Sequence, residues 1–476
     1  MSAALPVVIQ GGMGVGVSSW QMAREVSQQG QLGVVSGTAL DAVLARRLQD
    51  GDEGGHRRRA IAHFPSPAMA QRVQDRFFRE GGRRGKPYRP NPTLTISASR
   101  EAVELSLVGN FVEVWLAKEG HDGVVGVNFL EKIQMATPAA TLGAMLAGVD
   151  YVLMGAGIPR EIPKLLRDFA AGRPGSVNVD VHGGEPAPCT VDPVEMLGAD
   201  LPTALHKPDF LAIISLHSLA TYLYRDEEIR PEGFVVEGPR AGGHSAPPRG
   251  KMQLDDQGQP LYGDRDLADV AKIAAVGLPF WMAGGYSTPA KVVEALDAGA
   301  AGVQCGTIFA LSRASGLDPA VHAQMLADLR AGRLEVHNDP RASPTGFPFK
   351  VAHVPGTQSE DPVYRARPRL CDLSYLRQPY LRENGSIGYR CPSEPVDAYL
   401  KKGGQIEDTV GRKCLCNALM ANVGVGQTRK DGYVELPAVT LGQDLEGPTE
   451  MIRRYPAGWT PSQAIEWLLS GVNARR

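Results

Sequence analysis

Short apolar segments recur along the chain, and longer segments of mixed polarity separate them. Eight of the apolar segments have the length of strands, at residues 7–10, 33–36, 124–129, 151–154, 210–215, 234–237, 280–283 and 302–304. They lack the alternation of polar and apolar residues that marks a strand with one face in water. Because parallel strands buried on both faces are apolar throughout, the pattern predicts a parallel sheet.

The segments between these strands carry apolar residues at helical spacing. Helices are predicted at residues 19–29, 137–147, 162–171, 267–276 and 289–298, with a shorter one at 308–313. Strands that alternate with helices are typical of the α/β class. Eight such units predict a (β/α)8 TIM barrel.

The chain is longer than a barrel alone requires. It has 476 residues, whereas a TIM barrel takes about 250. We therefore expect a barrel domain over residues 1–317, with inserted segments at about 50–92 and 173–208, and a C-terminal cap over residues 318–476 that packs on the barrel. The second insertion is expected to carry an extra strand at 176–181 and to shape the rim of the pocket.

The first insertion is rich in arginine and glycine. One interpretation is an anion-binding lid, and the other is a solvated helix and loop. The solvated surface is favoured because basic runs usually face water and acidic residues elsewhere in the chain balance these.

The overall charge argues against several classes of partner. Lysine and arginine number 50 and aspartate and glutamate 52, for a net charge of −2, which gives no basic surface for nucleic acid. No uncharged run is long enough to span a bilayer, and residues 1–10 lack the charged start of a signal peptide. We expect a cytoplasmic protein that acts on a small molecule, without nucleic acid or membrane partners. The sequence does not indicate an oligomeric state.

Four of the six cysteines lie late in the chain. Cys391, Cys414 and Cys416 form a cluster, and Cys371 lies upstream. Cys-Leu-Cys lacks the two-residue gap of a common zinc motif, and no histidine is near. Reduced structural thiols are therefore favoured, and no metal site is predicted.

Glycine-rich loops follow the last three predicted strands. Residues 233–244 run from an apolar strand into a loop that ends at His244, and glycines also follow the strands at 280–283 and 302–304. A phosphate near the last strands of a barrel is bound by backbone N–H groups and a helix N-terminus. Gly284, Gly285 and Gly306 suit this close approach, and Thr307 adds a hydroxyl. The pattern predicts a phosphorylated cofactor.

His244 is the candidate catalytic residue, because it follows a strand at the end of a barrel where catalytic groups lie. With an ordinary pKa of about 6.5, the neutral imidazole could accept a proton from a substrate or orient a bound anionic one. The alternative is a structural histidine that caps a helix or binds a carbonyl. His217 is the second candidate, and Glu237 could tune His244 or brace its loop.

Several motifs together resemble a known family. IQGGMG at 9–14, GVNFL at 126–130, AGGH at 241–244, AGG at 283–285 and GVQCGT at 302–307 resemble the nitronate monooxygenases, formerly called 2-nitropropane dioxygenases. The resemblance covers about the first 310 residues. The resemblance extends to the FMN-dependent enoyl-ACP reductases, which share the same fold.

The resemblance implies that the cofactor is FMN. It places Gly11, Gly12 and Met13 against the flavin ring and Asn128 and Gln304 on polar parts of the cofactor. The ribityl chain and phosphate would contact Gly243, Gly284, Gly285, Gly306 and Thr307.

The same resemblance implies an oxidoreductase. Its leading form is a monooxygenase that oxidises alkyl nitronates with O2 to carbonyl compounds and nitrite. The alternative is a reductase that passes hydride from NAD(P)H through FMN to an enoyl thioester, with acyl carrier protein as a possible partner. Residues 154–163 and 208–215 look like the enoyl reductases of polyunsaturated fatty acid and polyketide synthases. A third, less favoured alternative is a non-catalytic flavin-binding or carrier-docking protein.

Overall fold

The computed structural model of the chain describes residues 5–475. Two parts of the sequence-based predictions therefore lie outside the described residues. They are residues 1–4, in the segment expected to lack a signal peptide, and residue 476, in the expected cap. In chain order the strands are β1 (Val8–Gln10), β2 (Leu32–Ser36), β3 (Val125–Leu130), β4 (Tyr151–Gly155), β5 (Gly175–Val179), β6 (Ala187–Val191), β7 (Asp209–Ile214), β8 (Gly233–Glu237), β9 (Phe280–Ala283), β10 (Gly302–Cys305), β11 (Val336–Asp339), β12 (Phe349–Ala352), β13 (Gln378–Leu381) and β14 (Ile387–Arg390).

Eight parallel strands close into a barrel in the order β1-β10-β9-β8-β7-β4-β3-β2. They are the eight predicted strands, and each predicted end is within one residue of the observed end. The predicted TIM barrel is therefore confirmed. The remaining strands form the antiparallel pairs β5–β6, β11–β12 and β13–β14 outside the barrel.

Helices surround the barrel and continue into the C-terminal region. In chain order they are α1 (Trp20–Gln28), α2 (Leu40–Gln49), α3 (His56–Ile61), α4 (Pro67–Phe77), α5 (Arg100–Lys118), α6 (Thr137–Leu146), α7 (Ile162–Ala170), α8 (Pro193–Leu197), α9 (His217–Arg225), α10 (Val270–Ala274), α11 (Pro289–Asp297), α12 (Thr307–Ala310), α13 (Pro319–Arg330), α14 (Asp361–Ala366), α15 (Val396–Lys401), α16 (Leu415–Ala421), α17 (Glu446–Arg454) and α18 (Pro461–Asn473). No described helix is long and apolar enough to cross a membrane.

Two predicted helices are shorter than expected. The helix predicted at 267–276 is the five-residue α10, because the Asp269 side chain accepts the backbone N–H of Lys272 and starts the helix at residue 270. The helix predicted at 308–313 is the single turn of α12. A one-turn helix aligns few peptide dipoles, so α12 offers an anion less than the prediction assumed.

The barrel interior is closed by large apolar side chains. They come from alternate positions of several strands and form one buried cluster of Ile9, Leu32, Val34, Leu153, Leu211, Val235, Trp281 and Ala283. The Trp281 indole is fully buried and donates to the Pro6 carbonyl at 2.8 Å. These side chains fill the barrel interior, so a ligand can bind only beyond them, where the strands end.

Helix α18 packs against both α11 and α1, the helices that follow β9 and β1. It occupies the position of the last helix in the barrel ring, which the single turn of α12 cannot fill. A capping box between Thr460 and Gln463 starts α18. Just before it, the buried Trp459 indole donates to the Ile308 carbonyl at 2.8 Å. Helix α18 thus packs as part of the barrel, while the domain boundary at 317/318 remains a prediction.

Six of the nine arginines of the first insertion are engaged in ion pairs. They include Arg59 with Glu119 at 2.9 Å, Arg72 with Glu104 at 2.6 Å and Arg83 with Asp50 at 2.9 Å. Paired guanidinium groups have less charge to offer a separate anion. This arrangement fits the solvated surface better than an anion-binding lid.

Candidate active site

A cavity opens at the carboxyl ends of the barrel strands. Its empty space, including the open mouth, is about 1550 Å³. All eleven residues predicted for the site line this cavity: Gly11, Gly12, Met13, Asn128, Gly243, His244, Gly284, Gly285, Gln304, Gly306 and Thr307. The structure therefore brings the predicted residues together, although their roles remain predictions.

The loop after β1 fits closely against two strand-end amides. A Cβ added to Gly12 would lie 2.4 Å from the Asn128 Cβ, and one added to Gly11 would lie 3.3 Å from Gln304. Residue 12 must therefore lack a side chain, and residue 11 has little room for one. Met13 lies beside Gly306, whose added Cβ would be 3.3 Å from the Met13 sulfur. These contacts bring the backbone of the β1 loop against the cavity wall.

Two buried amide oxygens at the cavity have no protein partner. Among the described residues, neither Asn128 Oδ1 nor Gln304 Oε1 has a hydrogen-bond donor. The Asn128 amide nitrogen donates to the Gly12 carbonyl at 3.4 Å, which fixes its orientation. A buried acceptor left without a donor costs about 1–3 kcal/mol. A ligand with N–H or O–H donors would remove this cost at both amides.

The Gly284–Gly285 turn lets the backbone itself form the wall. Both residues have positive φ, 83° and 116°, which side chains disfavour. A Cβ on Gly284 would also lie 2.8 Å from the Gly238 carbonyl oxygen. The turn leads to α11, which begins at Pro289 after a Thr288 cap. It suits the close backbone approach that an anion requires.

Two of the predicted phosphate contacts already have partners in the C-terminal region. The Gly243 N–H donates to the Thr440 hydroxyl at 3.0 Å, so it is not free for a phosphate. The Thr307 hydroxyl accepts the Gly442 N–H at 2.8 Å and keeps its own hydrogen to donate. The prediction of a phosphate contact is thus weakened at Gly243 and compatible with the structure at Thr307.

Arg240 is the one lysine or arginine among the described residues that line the cavity. Its guanidinium lies 3.7 Å from the Asp444 carboxylate, which also accepts the Ser287 hydroxyl at 3.1 Å. The negative charge of Asp444 beside the glycine turn is therefore partly neutralised by Arg240.

His244 lies on the cavity wall, with its ring against the C-terminal region. Nε2 is hydrogen-bonded to the Ser343 hydroxyl at 2.7 Å, and the ring meets the edge of Phe349 with centroids 4.9 Å apart. Burial, and then the charge of Lys132, lowers the pKa of His244 to about 4. The expectation of an ordinary pKa is therefore wrong, and the imidazole is neutral at pH 7.

Glu237 and Lys350 are a second titratable pair beside the cavity. Burial raises the pKa of Glu237 to about 7, and the charge of Lys350 opposes this rise. Burial also lowers the pKa of Lys350 to about 8, against the charge of Glu237. The Lys350 ammonium donates to the Ser245 hydroxyl at 3.2 Å. Groups that titrate near neutral pH in a cavity are candidates for proton transfer.

Two sets of residues that were predicted to lie at the cavity lie outside it in the structure. His217 starts α9 and accepts the Asp269 N–H at 3.3 Å, and it is not among the lining residues. The predicted strand at 176–181 is half of the β5–β6 hairpin, which packs on α6 and α7. None of the residues 173–208 lines the cavity, so the expectation that they shape its rim is wrong.

The C-terminal region supplies a wall that the sequence did not reveal. Its lining residues are Phe349, Tyr375, Leu376, Leu415, Cys416, Leu419, Thr440, Leu441, Gly442 and Asp444. No motif marks them, and they follow the last barrel strand by tens of residues. Within residues 5–475 no group of three or more histidine, cysteine, aspartate or glutamate side chains is placed to hold one metal ion. The prediction of no metal is thereby neither confirmed nor contradicted.

The fold and cavity define a TIM-barrel protein with a ligand site at the carboxyl ends of its strands. Residues 194–338 match the nitronate monooxygenase family. This range contains β7 to β10 with His244 and the glycine turns, and it excludes the loops after β1 and β3. The resemblance to this family is thus confirmed over that range, and it supports an oxidoreductase. No curated protein matches the chain.

Several solved structures are similar to the chain over nearly its whole length. FabK from Thermotoga maritima is 15% identical and covers 99% of this chain and 93% of its own, with a TM-score of 0.49. The enoyl reductase domain of MlnA from Bacillus amyloliquefaciens is 12% identical, with 99% and 96% covered and a TM-score of 0.46. Nitroalkane oxidase from Streptomyces ansochromogenes is 17% identical, with 100% and 99% covered and a TM-score of 0.43. Scores and identities this low do not distinguish between the activities that these names describe.

Proposed function

We propose that the protein is an FMN-dependent oxidoreductase that oxidises alkyl nitronates with O2 to carbonyl compounds and nitrite. The observation that carries the proposal is the pair of partnerless amide oxygens, Asn128 Oδ1 and Gln304 Oε1, in a cavity lined by every predicted cofactor residue. When bound, FMN supplies the electron-transfer and O2 chemistry that no side chain provides. The family match at residues 194–338 supports the same class of reaction.

The donors and acceptors around the cavity fit FMN. The amide oxygens of Asn128 and Gln304 would accept from N–H groups of the ring or hydroxyls of the ribityl chain. Met13 would cover one face of the ring, since it offers apolar surface beside paired glycines. The Gly284–Gly285 turn would approach the phosphate, and the Thr307 hydroxyl would donate to it.

His244 would orient the substrate rather than deprotonate it. A nitronate has already lost its carbon-bound proton, so its oxidation requires no strong base. A neutral imidazole bound to Ser343 presents a fixed hydrogen-bonding edge. The positive charge of Lys132, which helps to lower the His244 pKa, also favours an anion beside this ring.

A second candidate is the NAD(P)H-dependent reduction of an enoyl thioester. The apolar wall from Phe349, Leu376, Leu415 and Leu419 favours it, because this wall extends the cavity well beyond a small nitronate. A longer acyl chain would bury apolar surface there. Glu237, which lines the cavity, and the neighbouring Lys350 would then be groups able to hold a proton near pH 7. Acyl carrier protein would be the partner that delivers the substrate.

The test is to purify the full chain with FMN and assay ethyl nitronate and propionate 3-nitronate for nitrite and O2 uptake. The proposal predicts nitrite formation matched by O2 uptake, lost in His244→Ala and kept in the control His217→Ala. Cofactor content is measured separately by releasing the flavin. Protein that binds FMN but yields no nitrite would overturn the nitronate assignment alone, and protein that binds no FMN would overturn the whole proposal.

A further inference from the structure

Part of the wall of the large cavity is uncharged and comes from the region around α16. It consists of Tyr375, Leu376, Leu415, Cys416 and Leu419, all of which line the cavity. We call these five residues the α16 wall. The eleven residues predicted for the cofactor and for catalysis all precede the C-terminal region, so this wall is left for the substrate.

The register of α16 brings two leucines to the cavity. Leu415 and Leu419 are four residues apart, and residues at this spacing lie on the same face of a helix. Leu415 is buried, whereas Leu419 is only partly buried. Because Leu419 lines the cavity and keeps some exposed surface, its side chain can contact a ligand directly.

Buried hydrogen bonds hold the α16 wall on the barrel. The Tyr375 hydroxyl donates to the Asp41 carboxylate of α2 at 2.6 Å. Arg46 of the same helix donates to the carbonyl of Val425, shortly after the end of α16, at 2.7 Å. A wall that is fixed before the substrate arrives loses little conformational freedom on binding, which favours affinity.

The charged groups of the cavity belong to other parts of its lining. Among the described lining residues, the acidic and basic side chains are those of Glu237, Arg240, His244 and Asp444. The first three belong to β8 and the loop after it, and Asp444 pairs with Arg240 at 3.7 Å. The α16 wall itself offers no countercharge. An ionised group buried against it without a partner would be unfavourable.

We propose that the α16 wall is a subsite for a linear alkyl chain of the substrate and that Leu419 determines its specificity. The inference rests on the proposed function where it names the substrate as an alkyl nitronate with a long apolar chain. A chain that ends in a carboxylate, as in propionate 3-nitronate, is disfavoured. The acyl chain of an enoyl thioester has the same apolar chemistry, and the experiment separates these two sources.

The length of the chain should therefore control kcat/KM. Burial of one methylene group in an apolar site favours binding by about twofold to fourfold, depending on how completely it is buried. Hexyl nitronate has four more methylene groups than ethyl nitronate, so its kcat/KM should be at least about tenfold higher. Propionate 3-nitronate should be the poorest of these substrates.

The test is to assay nitrite formation by the FMN-loaded full chain with ethyl, butyl and hexyl nitronate and with propionate 3-nitronate. In Leu419→Gln a polar side chain interrupts the wall, so the ratio of kcat/KM for hexyl to ethyl nitronate should fall to about threefold or less. Leu419→Trp should shorten the chain that fits, so that butyl nitronate becomes better than hexyl nitronate. Leu400 is an exposed leucine of α15 outside the cavity, and the controls Leu400→Gln and Leu400→Trp should keep the wild-type ratio.

Folding of each variant is checked by circular dichroism and flavin content. Nitrite formation with equal kcat/KM for ethyl and hexyl nitronate would overturn the inference and leave the proposed function intact. A wild-type ratio in the folded Leu419 variants would do the same. If no nitronate yields nitrite, crotonyl and decenoyl coenzyme A are assayed with NADPH. A preference for decenoyl coenzyme A that is lost in Leu419→Gln would support the subsite, assign its chain to an acyl group and overturn the nitronate function.

A measurement without turnover tests the subsite independently of either reaction. Calorimetric titration gives the Kd of the FMN-loaded protein for 1-butanol, 1-hexanol and 1-octanol, which are unreactive apolar chains. Affinity should rise with chain length in wild type and in Leu400→Gln, and this rise should be lost in Leu419→Gln. The same dependence on chain length in both variants, or none in wild type, would overturn the subsite.

Discussion

The His244 imidazole and the Ser343 hydroxyl are hydrogen-bonded, with Nε2 2.7 Å from Oγ. His244 follows a barrel strand, whereas Ser343 belongs to the C-terminal region. Ser343 is held in turn by the Thr345 hydroxyl at 2.8 Å. The orientation of the candidate catalytic residue therefore depends on residues far along the chain.

Loss of the Ser343 hydroxyl should reduce turnover without removing the cofactor. In Ser343→Ala the imidazole loses a hydrogen bond worth about 0.5–1.5 kcal/mol, so we expect kcat to fall by about threefold to tenfold. Flavin content should equal that of wild type. Steady-state kinetics with released-flavin analysis checks this, and an unchanged kcat would show that Ser343 does not position His244.

His244→Ala should have a larger effect. Loss of a group that orients the substrate can cost about a hundredfold in rate, so a fall in kcat of about a hundredfold is expected, with FMN still bound. His217→Ala is the matched control because His217 lies outside the cavity. Equal activity of the two variants would refute the catalytic assignment.

The two partnerless amides should contribute to cofactor affinity. Asn128→Ala and Gln304→Ala each remove an acceptor for the ligand, so we expect the Kd for FMN to rise about tenfold in each, or about 1.4 kcal/mol. Gly285→Ala should weaken binding as well, because alanine disfavours the φ of 116°. Fluorescence titration of cofactor-free protein measures these constants. Wild-type affinity in both amide variants would mean that FMN lies elsewhere.

The depressed pKa of His244 predicts a specific pH dependence of stability. Its pKa is about 4 in the folded protein and 6.5 for an unperturbed histidine, so the unfolded chain binds the extra proton first as the pH falls. Stability from this group is present above pH 6.5 and is lost as the pH falls towards 4. At about pH 5 the loss is at most about 2 kcal/mol. His244→Asn should therefore flatten the fall of Tm across this range relative to wild type, and His217→Asn should not.

Glu237 should shape the pH dependence of activity. Burial raises the pKa of Glu237 to about 7. Its carboxyl group beside the cavity therefore becomes negatively charged as the pH rises through neutrality. The kcat/KM profile of wild type should bend near this pKa, and that of Glu237→Gln should lack the bend. The exposed Glu227 provides the control, Glu227→Gln. A bend that persists in the Glu237 variant would assign it to another group, with Lys350 the next to test.

The barrel could be predicted because its signal is local. A strand buried on both faces is an apolar run, and glycine at a strand end marks close backbone approach, so Gly284 was identified from the local pattern. Gly12 was identified only through the family resemblance. Helices were less accurate where a single cap decides the start, as Asp269 does for α10.

Features that depend on distant residues could not be predicted. The pKa of His244 follows from burial against Phe349 and Ser343, and that of Glu237 follows from burial beside Lys350. The sequence indicated a late group of cysteines, and only the fold shows that Cys371, Cys391, Cys414 and Cys416 line the same small cavity. These relationships arise from packing of the C-terminal region, for which the sequence offered no motif.

The most direct test of the proposed function is anaerobic stopped-flow absorbance of the FMN-loaded protein. It is mixed separately with ethyl nitronate and with NADPH or NADH, and the oxidised flavin band is followed. The account predicts rapid loss of this band with the nitronate, slow change with either nicotinamide, and nitrite when O2 is admitted. Fast bleaching by NADPH or NADH with no response to nitronate would contradict it and assign the protein to the enoyl reductases.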